Sequence, residues 1–327
     1  MHVPDGFLDD KTWAAAALFS CGGVGVAMWN VRRLPPRRVP LMGLSAAFIF
    51  AGQMLNFPVA GGTSGHLIGG VLAAVLLGPS AAVIILTAVL VIQCLLFADG
   101  GLLALGANIL NMGIVDSVGG YLVYRAVFRL LPGDRAAARV TAAAFAAWCG
   151  AVLASMVCSG ELVASGTAKA SVAFPAMVGV HMAIGLGEAA ITAIVIATVW
   201  NTRPELLDEE SGAGRARSGT FLAYGLIVAA ALAIFVSPFA CPWPDGLDHV
   251  AKVIGFGHRE VERRAPIGGY YFPGISNLRV ATAVAGLVGT FLAFSVALGL
   301  SRILMRPRAL PEQAGGDGAS ALSEAAS

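Results

Sequence analysis

Residues 80–98, SAAVIILTAVLVIQCLLFA, form an uncharged stretch that decides the fold class of this 327-residue chain. About 20 apolar residues are enough for a helix to cross the roughly 30 Å hydrocarbon core of a bilayer. The whole chain is 57% hydrophobic and 12% charged, whereas a soluble domain carries about 25% charged residues. We therefore predict an all-α polytopic membrane protein. The formal net charge of +2 gives no reason to expect a nucleic-acid partner.

Nine apolar runs of this kind occur along the sequence. They cover roughly residues 12–31, 41–57, 66–78, 80–98, 104–128, 139–160, 173–200, 219–238 and 280–303. Arg and Lys are concentrated in alternate connections between the runs, and cytoplasmic loops carry the excess of these residues. We therefore predict about nine transmembrane helices in the membrane lipid, with the N-terminus outside and the C-terminus in the cytoplasm. The outer side then receives the N-terminal segment, the 58–66 loop, the turn at Asp99 and the segment 239–279.

Composition divides the chain into two membrane units. We predict a seven-helix unit over residues 1–200, a cytoplasmic linker over 201–218, a two-span companion unit over 219–303 and a disordered cytoplasmic tail over 304–327. Residues 239–279 of the companion unit are polar and rich in Gly, Pro and aromatic residues, so we expect a small extracytoplasmic cap there. The first residues are acidic rather than basic, so no cleavable signal peptide is expected.

The first two residues, Met1 and His2, form a candidate metal-binding group. A free α-amine, the next amide nitrogen and the imidazole of a second-position His can enclose one ion in fused chelate rings. Late first-row ions can displace the amide proton, and one position of a square plane then stays open. The alternative is a frayed, disordered terminus.

His66 is the candidate for the fourth nitrogen. It ends the Gly-rich stretch GGTSGH, residues 61–66, which the predicted topology puts on the same side of the membrane as Met1 and His2. Four planar nitrogens favour Ni²⁺ or Cu²⁺ and suit Co²⁺ less well. The alternative is a His that bonds nearby backbone at a helix start, with Ser64 as the helix cap.

Polar residues inside the apolar runs are candidates for supporting roles, because intramembrane ionisable groups are functional candidates by default. Asn108 and Asn111 share a predicted helix face and could bond neighbouring helices or orient a metal-ligating imidazole. His181 and Glu188 lie about 10 Å apart along one face of a predicted helix. We favour structural hydrogen bonds for this second pair over a role in ion passage or subunit docking.

Four residues of the segment 239–279 raise the question of a second metal site. Asp245, Asp248, His249 and His258 could form a weak metal relay on the outer face. Their spacing lacks the tight pattern of a metal site. We therefore favour a small folded cap, with Pro-Asp-Gly at 244–246 as a β-turn.

Several of these stretches together resemble a known family. They are MHVPDGFL at 1–8, PVAGGTSGHLIGG at 58–70, DGGLLALGANILNMG at 99–113 and HMAIGLGE at 181–188. Over roughly residues 1–200 the chain resembles the membrane substrate-capture subunits of energy-coupling-factor cobalt and nickel importers, the CbiM/NikM family. Residues 218–303 resemble the small two-span companion of the NikN type, with its Pro-Asp-Gly-Leu signature at 244–247.

The resemblance implies a function, a ligand set and partners. A transported Ni²⁺ or Co²⁺ would be held by Met1, His2 and His66. Candidates for the residues around these ligands are Ser64, Asn108, Asn111 and His181. The implied partners are a transmembrane coupling subunit and two cytoplasmic ATPase subunits, in the cytoplasmic membrane of a bacterium. The fused companion favours nickel, since this companion type often accompanies nickel systems.

Two other function classes compete with this one. An ion- or proton-coupled secondary transporter would use His181 and Glu188 as a relay. An intramembrane enzyme is disfavoured because the surroundings of His66 and His181 lack HExxH and GxSxG patterns. The chain also lacks a GxxxxGK[ST] phosphate-binding loop, so we expect ATP hydrolysis in separate subunits.

Overall fold

The computed structural model describes residues 1–207 and 218–305, and most of these residues are helical. The helices are α1 (Asp10–Val31), α2 (Val39–Gln53), α3 (Gly70–Leu77), α4 (Pro79–Ile92), α5 (Leu105–Asn108), α6 (Gly120–Leu130), α7 (Arg135–Ala164), α8 (Ala170–Thr202), α9 (Ser218–Ala231), α10 (Gly246–Ile254) and α11 (Leu278–Leu304). Three π-helical turns extend or join them, at Gln93–Phe97, Ile109–Gly119 and Leu232–Val236. Short 3₁₀ turns lie at Pro36–Arg38, Pro204–Leu206, Ser237–Phe239, Gly257–Arg259 and Gly268–Tyr270.

One β-hairpin interrupts the helices and leads directly to His66. Its strands are β1 (Phe57–Val59) and β2 (Thr63–Gly65), which pair antiparallel. Gly61 and Gly62 make the turn with φ angles of 84° and 80°, in the left-handed region that residues with a Cβ rarely adopt. The all-α prediction is therefore wrong for this short hairpin.

Six helices of the described residues are long and apolar enough to cross a membrane. They are Asp10–Val31, Pro79–Phe97, Arg135–Ala164, Ala170–Thr202, Gly219–Phe239 and Leu278–Leu304. The third predicted run forms only α3, whose 8 residues extend about 12 Å, too short to cross a bilayer alone. The chain is thus a mostly helical, multi-pass membrane protein, while the count of nine spans and the orientation stay predictions.

The boundaries of the predicted linker and tail are only partly visible. Helix α8 continues through Thr202, and a 3₁₀ turn follows at Pro204–Leu206. Leu207 after this turn is buried. The rest of the predicted linker, residues 208–217, and residues 306–327 of the predicted tail lie outside the described residues. The division into two units stays a prediction.

Helices of the companion unit pack on the seven-helix unit through α2. Both α9 and α11 contact α2, and α7 and α8 pack side by side within the larger unit. Glycines mark the close approaches: Gly225 lies against Leu44, Gly43 against Phe294, and Gly289 against Phe50. Small residues of this kind allow helix backbones to approach closely in membranes.

The connection between α9 and α11 carries the short helix α10, which packs against α8 and β2. Asp245 is the N-cap of α10, and its Oδ1 accepts a hydrogen bond of 2.8 Å from the amide of Asp248. The predicted β-turn at Pro-Asp-Gly is therefore wrong, because Gly246 is the first residue of a helix. The segment is nevertheless folded, and α10 seats it over the hairpin that precedes His66.

Replacing Gly289 by Ala tests the contact between α11 and α2. A Cβ at Gly289 would lie 2.0 Å from Cζ of Phe50 and 2.9 Å from Cζ of Phe97, and both rings are fully buried. We expect Gly289→Ala to lower the free energy of unfolding by about 1–3 kcal/mol through overpacking, measured by thermal unfolding in detergent. Gly299→Ala on the same helix is the control, since a Cβ there meets nothing within 4 Å. Equal stability of the two variants would contradict the packing described.

Candidate metal-binding site

The first residues of the chain run into the molecule and are held along their backbone. The amide of Val3 donates to Oδ1 of Asn108 at 2.7 Å, and Nδ2 of Asn108 donates back to the Val3 carbonyl at 3.1 Å. The same carbonyl accepts from the Gly101 amide at 2.9 Å. Asn108 therefore holds the backbone of Val3, next to the proposed ligands, and not the side chain of a ligand.

Asp5 anchors the segment a second time. Its carboxylate accepts hydrogen bonds from the amides of Leu102, Leu103 and Ala104, at 2.9, 2.8 and 3.3 Å. These amides open the turn before α5, where a carboxylate satisfies otherwise unpaired donors. Phe7 is then buried against Phe256, with ring centroids 5.0 Å apart. The alternative of a frayed terminus does not fit the structure, because these hydrogen bonds and the burial of Phe7 hold the first residues in place.

The amino nitrogen of Met1 lies between an imidazole and a carboxylate. It is 2.7 Å from Nε2 of His66 and 2.8 Å from Oδ2 of Asp245. Met1 is only 4% exposed, and a buried charge of this kind requires a charged partner. Burial alone would raise the pKa of Asp245, but the charge of the Met1 amine acts in the opposite direction, and that pKa lies below its ordinary value.

His66 presents a lone pair to the Met1 amine. Its Nδ1 is 2.9 Å from the Leu67 carbonyl, and a carbonyl can only accept, so Nδ1 carries the hydrogen and Nε2 has the lone pair. Burial, and after it the charge of the Met1 amine, lower the pKa of His66 to about 3. A neutral imidazole with a free nitrogen is the form that binds a metal ion.

His2 lies beside His66, with ring centroids 5.2 Å apart and the planes inclined by 26°. Its Nε2 is 3.2 Å from Oε1 of Gln93, and its Nδ1 is 3.2 Å from Oδ1 of Asp99. Burial lowers the pKa of His2, although the charge of Asp99 acts in the opposite direction. In the described part of the chain the His2 backbone amide donates no hydrogen bond, so the amide nitrogen is not committed to another partner.

Gln93 and Asp99 reach His2 because α4 ends in a π-helical turn. The turn covers Gln93–Phe97, and the amide of Asp99 donates to the Gln93 carbonyl at 3.1 Å. Ala98 between them has a left-handed φ of 55°, which reverses the chain and brings both side chains to the same ring. Turns of the π type occur often at functional sites.

The predicted site residues are only partly brought together. Ser64 does not cap a helix, because it lies in β2 and its hydroxyl donates to the Trp243 carbonyl at 2.8 Å. The Ser64 amide donates to the Pro244 carbonyl, also at 2.8 Å. Asn111 contacts no imidazole, since its Nδ2 donates to Glu161 at 2.7 Å. The reason is that the helix changes from α to π at Ile109, so Asn108 and Asn111 meet different neighbours.

His181 and Glu188 have separate hydrogen-bond partners. The Glu188 carboxylate accepts from the amides of Ile68 and Gly69 at 2.7 and 2.9 Å, just before α3. Nδ1 of His181 is 2.8 Å from the Met177 carbonyl in the same helix. A Cβ built on Gly246 would lie 3.1 Å from Nε2 of His181, so His181 packs under the start of α10. Both side chains thus bond backbone groups, and the structural role favoured for the pair stays a prediction.

The predicted outer relay is not assembled. Asp245 contacts the Met1 amine, whereas Asp248 and His258 line a separate cavity of about 270 Å³ with Lys252. Burial and then the charge of Asp245 raise the pKa of Asp248 to about 7. His249 is merely one of the first residues of α10. Within the described residues no group of three or more His, Cys, Asp or Glu is placed to hold a metal ion.

Two segments therefore bring nitrogen donors together: the Met1 amine lies 2.7 Å from Nε2 of His66, and the ring of His2 stacks beside that of His66. Such a set offers a transition metal ion nitrogen ligands, with carboxylates of Asp99 and Asp245 beside them. The sequence had not singled out Asp5, Gln93 or Tyr270. Gln93 carried a signal as a polar residue within the apolar run 80–98.

Residues 2–206 match the family described as the cobalt uptake substrate-specific transmembrane region. The chain belongs to this family. Residues 219–306 match the PDGLE domain. The resemblance to a CbiM/NikM subunit fused to a NikN-type companion is thereby confirmed.

Relatives of this family member share its fused arrangement. A protein from Archaeoglobus fulgidus named as a fused nickel transport protein, NikMN, is 37% identical over 92% of this chain and 98% of its own length. The fused nickel transport protein NikMN of Rhodobacter capsulatus is 39% identical over 63% of this chain and 64% of its own length.

A solved structure is similar to part of this chain. A crystal structure of a transition metal transporter, 34% identical, covers 66% of this chain and 100% of its own length with a TM-score of 0.58.

Replacing Asn108 by Leu tests whether the two hydrogen bonds between Asn108 and Val3 hold the first residues of the chain in place. The change keeps the volume of the side chain and removes two hydrogen bonds, each of which contributes about 1 kcal/mol. We expect amide hydrogen exchange at Val3 and Gly101 to become roughly 30-fold faster, because local opening is that much easier. Asn30→Leu is the control, since Asn30 is exposed and its side chain donates to Ser80, away from the first residues. Unchanged exchange at Val3 would show that the two hydrogen bonds are dispensable.

Proposed function

We propose that this chain is the substrate-binding membrane subunit of an energy-coupling-factor importer for Ni²⁺ or Co²⁺. The ion is bound by the Met1 amine, the His2 amide, Nδ1 of His2 and Nε2 of His66. The proposal draws on the family membership and on the names of relatives, which are nickel transport proteins. The chain itself carries out no chemical conversion of the ion.

The observation that carries the proposal is the 2.7 Å distance between the Met1 amine and Nε2 of His66. Burying an N-terminal amine against an imidazole lone pair costs free energy of desolvation. A terminus with only a structural role could stay in water at a lower cost. An ion at this point gives both nitrogens a common partner. The amide and the imidazole of His2 then close the remaining chelate rings.

Metal capture in this proposal replaces protons by an ion. The amine and the amide must lose a proton each before they ligate, so protons compete with the metal. The carboxylates of Asp99 and Asp245 stay beside the ion and offset its charge. The segment 239–279 seals the site, since Pro244 bonds Ser64 and Asp245 bonds Met1.

Nickel is our preferred substrate. Planar nitrogen ligation with a deprotonated amide suits Ni²⁺ better than Co²⁺ on intrinsic preference. Both relatives with a fused companion that are described above carry the name of nickel transport proteins. Cobalt stays an alternative, because the matching family is described by cobalt uptake.

Release of the ion requires partners. We propose a transmembrane coupling subunit and two cytoplasmic ATPase subunits, which tip the seven-helix unit and discharge the ion into the cytoplasm. The proposal includes nine spans, an outer N-terminus and a cytoplasmic C-terminus in the bacterial cytoplasmic membrane. Arg38, Arg125, Arg129 and Arg139 line one cavity at the far end of α3 from His66, and a shared cytoplasmic side for them agrees with this orientation.

The alternative function, a secondary transporter with a His181–Glu188 relay, has less support. Within the described residues the two side chains share no hydrogen-bond partner. Each instead bonds backbone, at Met177 for His181 and at Ile68 and Gly69 for Glu188. A proton relay needs groups within hydrogen-bond reach of one another.

Blocking the amine of Met1 tests the ligand set. An acetyl group or one extra residue before Met1 removes the primary amine from its position between His66 and Asp245. We expect the Kd for Ni²⁺ to rise by more than about 100-fold, beyond the effect of losing an outer-shell partner. Competition titration gives the Kd, and mass spectrometry with equal Ni²⁺ and Co²⁺ identifies the preferred ion. The same extension at the C-terminus is the control, and unchanged binding by the blocked chain would refute the site.

Uptake assays separate the two function classes. We expect Ni²⁺ accumulation in cells only when the coupling and ATPase subunits are expressed with this chain. Inactivating the phosphate-binding Lys of the ATPases should abolish uptake, because the chain has no nucleotide site of its own. Uptake that persists without the ATPases, and that collapses with a protonophore while ATP is maintained, would favour the secondary transporter.

A further inference from the structure

Tyr270 of the companion unit closes a ring of hydrogen bonds around His2. Its hydroxyl donates to Oδ2 of Asp99 at 2.5 Å and accepts from Nε2 of Gln93 at 3.2 Å. The other carboxylate oxygen of Asp99 and the amide oxygen of Gln93 each contact one nitrogen of the His2 ring. Four side chains thus form one closed circuit that spans both units of the chain.

The directions of these bonds are fixed by elementary donor and acceptor rules. The carboxylate of Asp99 can only accept, so the single hydroxyl hydrogen of Tyr270 points to it. The Tyr270 oxygen must then accept from the amide nitrogen of Gln93. Gln93 consequently turns its carbonyl oxygen towards Nε2 of His2, and Oδ1 of Asp99 faces Nδ1. Both ring nitrogens therefore face an oxygen acceptor, and a neutral imidazole can give its one hydrogen to only one of them.

We propose that Tyr270 is a positioning residue: it fixes the Gln93 amide so that an oxygen acceptor faces Nε2 of His2, which favours the Nε2–H form whose Nδ1 can bind the metal ion. This inference rests on the proposed function, since it concerns the same site. A lone pair on Nδ1 facing a carboxylate oxygen of Asp99 at 3.2 Å is repulsive. A divalent cation bound at Nδ1 turns the same contact into an attraction.

Tyr270 is held at this point by the surrounding structure. Its φ of 63° is left-handed, which is a rare conformation for an aromatic residue and carries strain of about 1–3 kcal/mol. The ring stacks on Phe97 with centroids 4.8 Å apart. The preceding residues dock on the same turn, because Ile267 bonds the Leu96 carbonyl at 2.8 Å and Arg263 bonds the Cys94 carbonyl.

The companion unit therefore acts on His2 indirectly, through Asp99 and Gln93. The tautomer of His66 is set by the Leu67 carbonyl, within the seven-helix unit. The tautomer of His2 depends instead on a hydroxyl from beyond the linker. Partners that fix a ligand's ring nitrogen in this way typically change metal affinity 10–100-fold when they are removed.

Tyr270→Phe in the full-length chain tests the proposal. Without the hydroxyl, the Gln93 amide can turn and donate to Nε2 of His2, and the ring hydrogen then moves to Nδ1, where it bonds Asp99. We expect the Kd for Ni²⁺ to rise by about 10–100-fold. We also expect the ¹⁵N spectrum of the metal-free, His-labelled chain to show His2 shifting from the Nε2–H towards the Nδ1–H form. The five His residues allow assignment by single substitution.

Tyr271→Phe is the matched control, because this neighbouring ring is 50% exposed. Gln93→Met, of similar volume, interrupts the circuit at another point if Tyr270→Phe does not fold. The proposal is overturned if the affinity for Ni²⁺ and the tautomer of His2 do not change together. A variant that only lowered stability would weaken binding without shifting the tautomer in the folded chain. The tautomer of His2 is measured without metal, so this result is independent of the test that blocks Met1. Unchanged metal binding in the Met1-blocking test would refute the proposed function itself.

Discussion

A buried ammonium group between an imidazole and a carboxylate is the constraint on which the site depends. Moving an isolated charge out of water costs several kcal/mol, and the Met1 amine is buried with Asp245 as its counter-charge. The two neighbours of this amine come from different units, His66 from the larger and Asp245 from the companion. Seating the terminus therefore requires that the outer segment already lies over the hairpin, where Pro244 bonds Ser64.

The fusion of the two units follows from the same geometry. A separate companion would have to find the site by diffusion, whereas a tether of a few residues to tens of residues raises its effective concentration to the millimolar range. Asp245 and Tyr270 reach opposite sides of the site, one at the Met1 amine and the other behind His2. The companion thus contributes Asp245 and Tyr270 to the surroundings of the proposed binding site.

The sequence predicted the apolar runs and the three proposed ligands because these signals are local. Met1, His2 and His66 are unusual residue types at unusual positions, and charge placement puts them on one side. Gln93, Asp99 and Tyr270 were not predicted as a circuit, since their meeting depends on a π-helical turn and on left-handed residues at Ala98 and Tyr270. Neither feature has a sequence signature. The same holds for the hairpin, where glycines indicated a break but not its pairing.

Charge balance explains how a site with two carboxylates can stay closed during capture. Before capture, the Met1 ammonium and the carboxylates of Asp99 and Asp245 together carry one negative charge. In the proposed complex, the amine and the His2 amide each give up a proton while the ion brings two positive charges. The ion, the amidate and the two carboxylates again sum to one negative charge. Capture therefore exchanges two protons for one ion and leaves the net charge of the site unchanged, so the site needs no further counter-charge once the ion is bound.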